Sequence, residues 1–217
     1  MKIEIRNYSK IIKKKTILNN INLTLNSGMI YGLRGINGSG KTMLIRAICG
    51  LIYPSSGEIA IDGENIGRDI SFPRSIGVLI ESPAFLPNYT AFDNLKQIAS
   101  IKNEIEDYEI SKIIRDVGLV PDDKRTFRKF SLGMKQKLGI AAALMESPDI
   151  LILDEPFNAL DDVSVERTKK LILREKERGA IVILACHDVS ALKSLSDQII
   201  YIEEGRITKT EDQEDKQ

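Results

Sequence analysis

The chain has 217 residues, of which 42% are hydrophobic and 29% are charged, and its 31 basic and 31 acidic side chains cancel to a formal net charge of zero. This apolar content is too high, and the net charge too low, for an intrinsically disordered protein. Zero net charge argues against a nucleic-acid-binding protein, because duplex binding usually requires a basic face. No segment approaches the roughly 18 uninterrupted apolar residues of a transmembrane helix, so we expect a cytoplasmic chain that does not insert into a membrane.

The length predicts a single domain, since domains usually have roughly 100–200 residues. About 70% of the surface of an unfolded chain of this size is buried on folding, which is enough for a substantial core. Cys49 and Cys186 both lie in apolar segments. We therefore expect two buried free thiols and no disulfide.

The first third of the chain predicts mainly strands. Residues 2–7 and 16–25 alternate between apolar and polar, and the basic run 13–15 between them is typical of a hairpin turn. A short strand over 29–34 leads into a glycine-rich turn, and a helix follows over 42–49. Residues 54–57 predict a turn, and residues 58–62 predict another strand.

The rest of the chain alternates strands and helices. After a strand over 75–80, Pro83 and Pro87 interrupt the pattern, and helices are predicted over 94–101, 109–117 and 132–145. Apolar runs at 150–153 and 180–185 predict strands, with a charged helix over 162–177 between them. Apolar strands alternating with helices indicate a parallel sheet covered on both faces. The polar tail after Ile207 is predicted to be frayed.

A phosphate-binding motif, G-x-x-x-x-G-K-[ST], lies between the third strand and the first helix. Its glycines allow backbone N–H groups to turn toward phosphate oxygens, and the helix N-terminus adds a positive dipole. Lys41 supplies a charge to the β- and γ-phosphates, and the Thr42 hydroxyl is a ligand for Mg²⁺. The residues predicted to bind the nucleotide here are Gly35, Asn37, Gly38, Ser39, Gly40, Lys41 and Thr42.

Two acidic residues follow the apolar run at 150–153. Asp154 is placed to hold Mg²⁺ directly or through water, and Glu155 is placed to take a proton from an attacking water. An acidic loop after a buried strand is common in α/β proteins, but the phosphate-binding motif upstream favours the catalytic interpretation.

Three further segments occur in a specific order. Residues 130–136 read Phe-Ser-Leu-Gly-Met-Lys-Gln, residues 158–161 read Asn-Ala-Leu-Asp, and His187 follows the apolar run at 180–185. With the two motifs above, these segments closely resemble the signature sequence, the D-loop and the switch histidine of the ATP-binding subunit of ATP-binding cassette (ABC) transporters. The resemblance covers roughly residues 7–207.

The resemblance implies an α/β fold. We expect a P-loop ATPase core with a mostly parallel sheet, an N-terminal antiparallel β flank and an inserted helical subdomain. In a single domain over residues 1–217, the core and flank would occupy about 1–85 and 147–217, and the helical subdomain about 86–146.

It also implies a head-to-tail homodimer that closes on two ATP molecules. Ser131 and Gly133 begin a helix, and the resemblance implies that this helix N-terminus meets the γ-phosphate bound by another protomer. Asp161, in the D-loop, is expected among the nucleotide-binding residues. His187 is expected to donate a hydrogen bond to the γ-phosphate.

Several positions depart from the usual family pattern. Glu81 stands where the family usually has a glutamine, and we expect it to be a catalytic and Mg²⁺-binding residue. A glutamate there, with the form of the signature sequence, resembles the bacitracin-resistance and lantibiotic-immunity branch. In the family, an aromatic residue usually stacks on adenine; its position falls near Ile12 in this chain, and Tyr8 is the nearest aromatic candidate. Phe157 and Asp162 also depart from the family pattern, and neither has an evident explanation.

The function implied is that of a subunit that binds and hydrolyses MgATP and powers a separate membrane permease, exporting an antimicrobial peptide or similar amphiphile. The subunit would lie at the inner face of the cell membrane, with a groove near residues 81–95 as the permease contact. One alternative is a soluble cassette ATPase in a process such as metal-cluster assembly. Another is a degenerate nucleotide binder, which the presence of Lys41, Asp154, Glu155 and His187 opposes.

Overall fold

The structure is a computed structural model that describes residues 1–213. Its strands are β1 (Lys2–Ile12), β2 (Lys15–Asn26), β3 (Met29–Arg34), β4 (Ser56–Ile61), β5 (Glu64–Asn65), β6 (Ile76–Leu79), β7 (Ile150–Asp154), β8 (Ile181–Ala185), β9 (Gln198–Glu203) and β10 (Arg206–Asp212). Its helices are α1 (Lys41–Ile48), α2 (Ala91–Lys102), α3 (Asp107–Asp116), α4 (Leu132–Leu144), α5 (Asp162–Glu177) and α6 (Val189–Leu195). The predicted strands and helices are all present, whereas β5, β9, β10 and α6 were not predicted.

The larger sheet has six strands in the order β10-β9-β3-β8-β7-β6. Strands β9, β3, β8, β7 and β6 run parallel to one another, and β10 is antiparallel to β9 at one edge. Every residue of β7 and β8 is buried, as their continuous apolar runs predict. The predicted α/β class with a mostly parallel sheet is confirmed.

The smaller sheet is antiparallel, with the order β2-β1-β4-β5. Ile12 pairs with Lys15, so Lys13 and Lys14 form a two-residue hairpin turn with φ angles of 47° and 66°. A turn with two positive φ angles matches the twist of a hairpin, and the predicted turn is confirmed. Strand β1 is longer than predicted because it continues through register shifts after Ile5.

Apolar side chains cover the six-stranded sheet on both faces. Ile150 and Ile152 of β7 pack into the cluster that contains α1 and the antiparallel sheet. Leu151 and Leu153 point the opposite way, into the cluster formed mainly by the other helices. This alternation follows from the two-residue period of a strand. Because β3, β8 and β7 run parallel, the segments that follow them lie at one edge of the sheet.

The prediction of a frayed tail after Ile207 is wrong for the residues that the structure describes. Strand β10 pairs with β9 along its length. Tyr201 Oη donates to Glu211 at 3.0 Å, and Gln198 Nε2 donates to Asp212 at 2.6 Å. The strand is polar because it lies at an exposed edge, where charged side chains are usual. The part of the prediction that concerns 214–217 lies outside the described residues.

Cys49 and Cys186 are free and buried, which confirms the predicted absence of a disulfide between them. Burial raises the pKa of Cys49 to about 12 and that of Cys186 to about 11. Within residues 1–213, no helix is long and apolar enough to span a lipid bilayer.

Candidate active site

A cleft of about 930 Å³ lies where the segments after β3, β7 and β8 meet. The hairpin between β1 and β2, the phosphate-binding motif, the segment after β6, the start of α4 and the segments after β7 and β8 all contribute to its wall. The cleft thus gathers motifs that are far apart in the sequence, at the carboxyl ends of parallel strands, where α/β proteins usually bind ligands.

The phosphate-binding motif forms the turn from β3 into α1. Gly40 precedes the helix with a φ angle of 112°, a conformation that glycine adopts without strain. A Cβ atom on Gly35 would lie 2.5 Å from Ser39 Oγ, so the loop closes only around glycine. Among the residues that the structure describes, no side chain caps the N-terminus of α1. Its first N–H groups are therefore available to an anion, and the helix dipole favours one there.

Two polar side chains lie inside this loop. Lys41 Nζ donates to the carbonyl oxygens of Gly35, at 2.6 Å, and Ile36, at 3.1 Å. Ser39 Oγ is buried and has no hydrogen-bond partner among residues 1–213. A buried hydroxyl without a partner is costly in a folded protein and is common at binding sites. The loop therefore has the properties of a cradle for phosphate oxygens.

Thr42 and Asp154 meet at the base of the cleft. Thr42 Oγ1 donates to Asp154 Oδ2 at 3.1 Å, although the two residues are 112 positions apart in the sequence. Burial is the main reason that the pKa of Asp154 is raised, and the hydrogen bond from Thr42 opposes it. Oxygen ligands at one or two protein positions are what Mg²⁺ usually takes beside a nucleotide. The two side chains therefore fit Mg²⁺.

Glu155 lies next to this pair, with a φ angle of 53°. Its Oε2 accepts a hydrogen bond from the His187 backbone N–H at 3.3 Å, and His187 Nε2 lies 3.3 Å from Oε1. That second approach does not have hydrogen-bond geometry, and within the described part of the chain Oε1 has no hydrogen-bond partner. Burial raises the pKa of Glu155, and the hydrogen bond from His187 opposes the rise. A partly buried carboxylate with an unpaired oxygen has the properties of a general base.

Ser131, Gly133 and Asp161 do not line this cleft. Ser131 Oγ accepts a hydrogen bond from the Met134 backbone and caps α4 as predicted. A contact of Ser131 and Gly133 with the nucleotide of another protomer stays a prediction. Asp161 Oδ1 accepts from the Ser164 backbone at 2.8 Å and caps α5. The expected nucleotide contact of Asp161 likewise stays a prediction.

The expected catalytic and Mg²⁺-binding roles of Glu81 stay predictions. Glu81 Oε1 accepts a hydrogen bond from Arg46 Nη2 at 2.7 Å, and the Glu81 side chain is 61% exposed. Glu81 lies at the wall of the cleft. Among the described residues, its side-chain hydrogen bond is with Arg46, in the middle of α1, and not with Thr42 or Asp154. Arg46 was not among the predicted site residues. One signal was available: Arg46 follows Thr42 by four positions on one helix, so the two share a face.

The two candidates for adenine contact lie in different surroundings. Tyr8 is 1% exposed, and its hydroxyl donates to the Ile52 carbonyl oxygen at 3.2 Å. Ile12 and Ile17 instead line the cleft beside Lys13 and Lys15. The base would therefore meet apolar and basic side chains of the hairpin, and not the ring of Tyr8.

The two unexplained departures acquire a structural account. Phe157 is partly buried and packs against the helical apolar cluster. Asp162 is exposed in the first turn of α5, where a negative charge interacts favourably with the helix dipole.

Gln136 is a buried member of the site that sequence reasoning left aside. Its Nε2 donates to the backbone carbonyl oxygens of Glu155 and Pro156. The signal was its place in the helix, because it is the polar residue that follows Gly133 by one turn, before a run of mainly small and apolar residues.

Residues 18–158 match the family model described as ABC transporter. The uncharacterized ABC transporter ATP-binding protein YybJ of Bacillus subtilis (strain 168) is 48% identical over 209 residues, which cover 96% of each chain. The chain belongs to the ABC transporter ATP-binding proteins. It is therefore an ABC-type ATPase, and the family predicted from the motifs is confirmed.

Two relatives have named transport roles. The lantibiotic transport ATP-binding protein SrtF of Streptococcus pyogenes is 38% identical, over 94% of this chain and 88% of its own. The bacitracin transport ATP-binding protein BcrA of Bacillus licheniformis is 39% identical, over 94% of this chain and 68% of its own. The resemblance to these two kinds of ATP-binding protein is thus confirmed.

Solved structures have the same fold. A structure of an ATP binding subunit of an ABC transporter superposes with a TM-score of 0.89 at 25% identity, over 98% of this chain and 90% of that one. A dimeric post-hydrolysis structure of the cassette MJ0796, bound to ADP and Pi, superposes with a TM-score of 0.87 at 22% identity, over 99% of this chain and 100% of that one. Both confirm the cassette fold.

Proposed function

We propose that this ATPase powers a separate membrane permease that exports an antimicrobial peptide or a similar amphiphile. The observation that carries the proposal is the contact between Thr42 and Asp154 at 3.1 Å, beside Glu155 and beneath the phosphate-binding loop. The transported class is supported by relatives whose names refer to lantibiotic and bacitracin transport.

The phosphate-binding loop holds the triphosphate. Backbone N–H groups at the start of α1 bind phosphate oxygens, and Lys41 exchanges its bonds to the Gly35 and Ile36 carbonyl oxygens for the β- and γ-phosphates. The buried Ser39 hydroxyl, which lacks a partner in the described structure, is a further donor for this anion. The base lies against Ile12 and Ile17 of the hairpin.

Thr42 and Asp154 are the residues that would hold Mg²⁺. The ion supplies a positive charge that neutralises the charge developing on the phosphates. Thr42 keeps Asp154 in place through its hydrogen bond, and a counterion offsets the cost of burying that carboxylate.

Glu155 is the general base that takes a proton from the attacking water. The burial that raises its pKa also makes it a stronger proton acceptor than an ordinary glutamate. His187, which lines the cleft, donates its backbone N–H to Glu155 Oε2, and its Nε2 lies 3.3 Å from Glu155 Oε1. Its ring would turn from this carboxylate to donate a hydrogen bond to the γ-phosphate when the nucleotide binds.

The complete site is formed in a head-to-tail homodimer. The N-terminus of α4, with Ser131 and Gly133, is directed to the γ-phosphate of the partner protomer, because the dipole of a helix favours an anion at its N-terminus. Two nucleotides then join the protomers, and hydrolysis releases them. The helices between residues 86 and 146 form the subdomain that moves relative to the core.

The segment 81–95 receives the permease. Asn94 is buried, and its amide holds the preceding loop through hydrogen bonds with Leu86, Tyr89 and Thr90. Leu86 and Tyr89 are nevertheless exposed. An ordered loop that presents apolar side chains suits a protein contact. This supports the proposed position of the subunit at the inner face of the membrane, against the permease.

Purification of the tagged protein from its native membrane in detergent tests the partner. We expect a protein with several transmembrane helices to copurify, and its sequence would identify the permease. Copurification of soluble metal-cluster assembly proteins alone would favour the non-transport alternative.

Substitution Glu155→Gln tests the catalytic assignment. The variant should still bind MgATP but hydrolyse it about 10²–10⁴ times more slowly, which is the usual contribution of a general base. Gel filtration with ATP should show a stable dimer, because release follows hydrolysis. Glu177→Gln, an exposed change on α5, is the control. Hydrolysis at the wild-type rate in Glu155→Gln would contradict the assignment.

A further inference from the structure

Gln136 connects α4 to the backbone that carries Glu155. Its Nε2 donates to the Glu155 carbonyl oxygen at 2.9 Å and to the Pro156 carbonyl oxygen at 3.2 Å. One amide group has two hydrogens, so it satisfies both acceptors. The Gln136 side chain is buried, and its hydrogen bonds are therefore shielded from competing water.

The backbone at Glu155 requires this support. A φ angle of 53° places a residue with a Cβ atom in the left-handed region, where it is strained. The Glu155 N–H donates to the Ala185 carbonyl oxygen at 2.7 Å, which holds one side of the turn. On the other side, Pro156 has no N–H to donate, and the N–H of Asn158 is 3.3 Å from the Glu155 carbonyl oxygen. Gln136 therefore supplies the shorter hydrogen bond to that carbonyl.

The Glu155 carboxylate depends on this turn for its orientation. Within residues 1–213, Oε2 accepts a 3.3 Å hydrogen bond from the His187 backbone, and Oε1 lies 3.3 Å from His187 Nε2 but has no hydrogen-bond partner. Side-chain contacts thus hold the carboxylate weakly, and the position of its own backbone decides where it points.

The same face of α4 touches the loop after β7 at a second place. A Cβ atom on Gly133 would lie 2.7 Å from the Ala159 carbonyl oxygen. Gly133 and Gln136 are three positions apart, so they share one side of the helix. A displacement of α4 is therefore passed to the loop that begins with Glu155.

We propose that Gln136 is a positioning residue, which holds Glu155 in the orientation needed for hydrolysis and makes that orientation depend on the position of α4. The proposal rests on the assignment of Glu155 under the proposed function. Gln136 acts through Glu155 and does not itself need to touch the nucleotide.

The test compares Gln136→Met, which has a similar length and no donor, with Gln136→Glu, which keeps the shape and loses the amide hydrogens. In both variants kcat should fall about 10–100-fold, while KM and the Kd for ATP measured in EDTA stay within about threefold, since only an oriented base is lost. Gln97→Met, at an exposed position on α2, is the matched control and should behave as wild type.

A second measurement separates positioning from a general structural effect. In the Glu155→Gln background, Gln136→Met should cause no further loss of turnover, because both changes remove the same contribution. Turnover at the wild-type level in both Gln136 variants, or an additive loss in the double variant, would overturn the proposal. If Glu155→Gln itself hydrolysed ATP normally, the assignment of Glu155 would fail instead.

Discussion

At the scale of single residues, the site contains buried carboxyl groups that make the nucleotide-free protein less stable. The pKa of Asp154 is raised mainly by burial, and the charge of Glu81 adds to the effect. The folded state therefore binds this proton more tightly than the unfolded state does. This tighter proton binding stabilises the folded state fully below pH 3.8, the ordinary pKa of an aspartate. The stabilisation is lost as the pH rises through the higher pKa that Asp154 has in the folded state.

Substitution Asp154→Asn should consequently raise the melting temperature of the nucleotide-free protein at pH 7–8. Each kcal/mol of added stability corresponds to about 2–4 °C for a chain of this size. Thermal unfolding in EDTA, repeated at decreasing pH, measures the effect, and the difference from wild type should shrink as the acid becomes protonated. Asp122→Asn, an exposed change, should stay within about 0.5 kcal/mol of wild type. A variant less stable than wild type at pH 8 would show that burial of the Asp154 carboxylate does not destabilise the nucleotide-free protein.

Ile12 should affect a second property of the site, its preference for adenine over guanine nucleotides. An aromatic ring beneath adenine adds roughly 1–3 kcal/mol by analogy with base stacking, and Ile12 offers only apolar contact. The ATPase should therefore discriminate between ATP and GTP by less than about tenfold, and Ile12→Tyr should tighten ATP binding by roughly 1 kcal/mol. Titration of both nucleotides at constant Mg²⁺ measures this.

Ile11→Tyr is the matched control, because Ile11 is exposed on the same strand and does not line the cleft. Tyr8→Ala is unsuitable as a control. Removing so large a buried side chain costs about 3–5 kcal/mol of stability. Equal tightening by Ile11→Tyr and Ile12→Tyr would contradict the position given to the base.

At the scale of elements, Arg46 and Glu81 join α1 to the segment after β6. Both side chains are more than one third exposed, and exposed ion pairs contribute only about 0–1 kcal/mol to stability. The ion pair is therefore a weak contact that can break. It joins α1, which follows the phosphate-binding loop, to the segment proposed to receive the permease.

Glu81→Ala should uncouple export from hydrolysis. We expect resistance or export in cells to be lost, while basal ATP hydrolysis and the melting temperature change little, because the ion pair contributes little to folding. Arg46→Gln should give the same result, and the double variant should be no worse than either single one. Glu64→Ala is the control, because it removes another exposed ion pair, in which Arg74 Nη2 lies 2.6 Å from Glu64 Oε1. Normal export by a Glu81→Ala protein present at the wild-type level would contradict this coupling.

At the scale of the whole molecule, the cleft of one chain contains only part of the proposed site. Leu132 and Gln136 of α4 line the cleft beside the phosphate-binding loop, whereas Ser131 and Gly133 do not line it. The proposed head-to-tail dimer would bring Ser131 and Gly133 of a second copy to this cleft, in a closed arrangement with two-fold symmetry.

Complementation tests this arrangement. Lys41→Ala and Ser131→Arg should each abolish hydrolysis in homodimers, because every site then has one damaged half. In an equal mixture, a heterodimer has one intact site and one doubly damaged site, so about a quarter of the wild-type activity should return. Two affinity tags verify that heterodimers form. Heterodimers that form without any activity would contradict a head-to-tail site.

Much of this protein could be predicted from local sequence patterns. The runs at 150–153 and 180–185 predicted buried strands, because a strand between two helical layers must be apolar on both sides. The glycine spacing predicted the phosphate-binding loop, since only glycine permits its close backbone approach, as at Gly35. These features depend only on residues that are close together in the sequence, so local sequence patterns are sufficient to predict them.

Other features depend on contacts between distant parts of the chain, and only the tertiary structure decided them. Tyr8 and Ile12 lie on one strand, yet one is buried against Ile52 and the other lines the cleft, because register shifts in β1 change which side chains face inward. The pairing of Glu81 with Arg46, and the support of Glu155 by Gln136, join segments that are 35 and 19 residues apart. No local pattern encodes such distances, because folding alone brings these side chains together. The sequence by itself thus determined the family, the sheet and the phosphate-binding loop, while the packing of α1 and α4 against the sheet decided how the acidic residues are held.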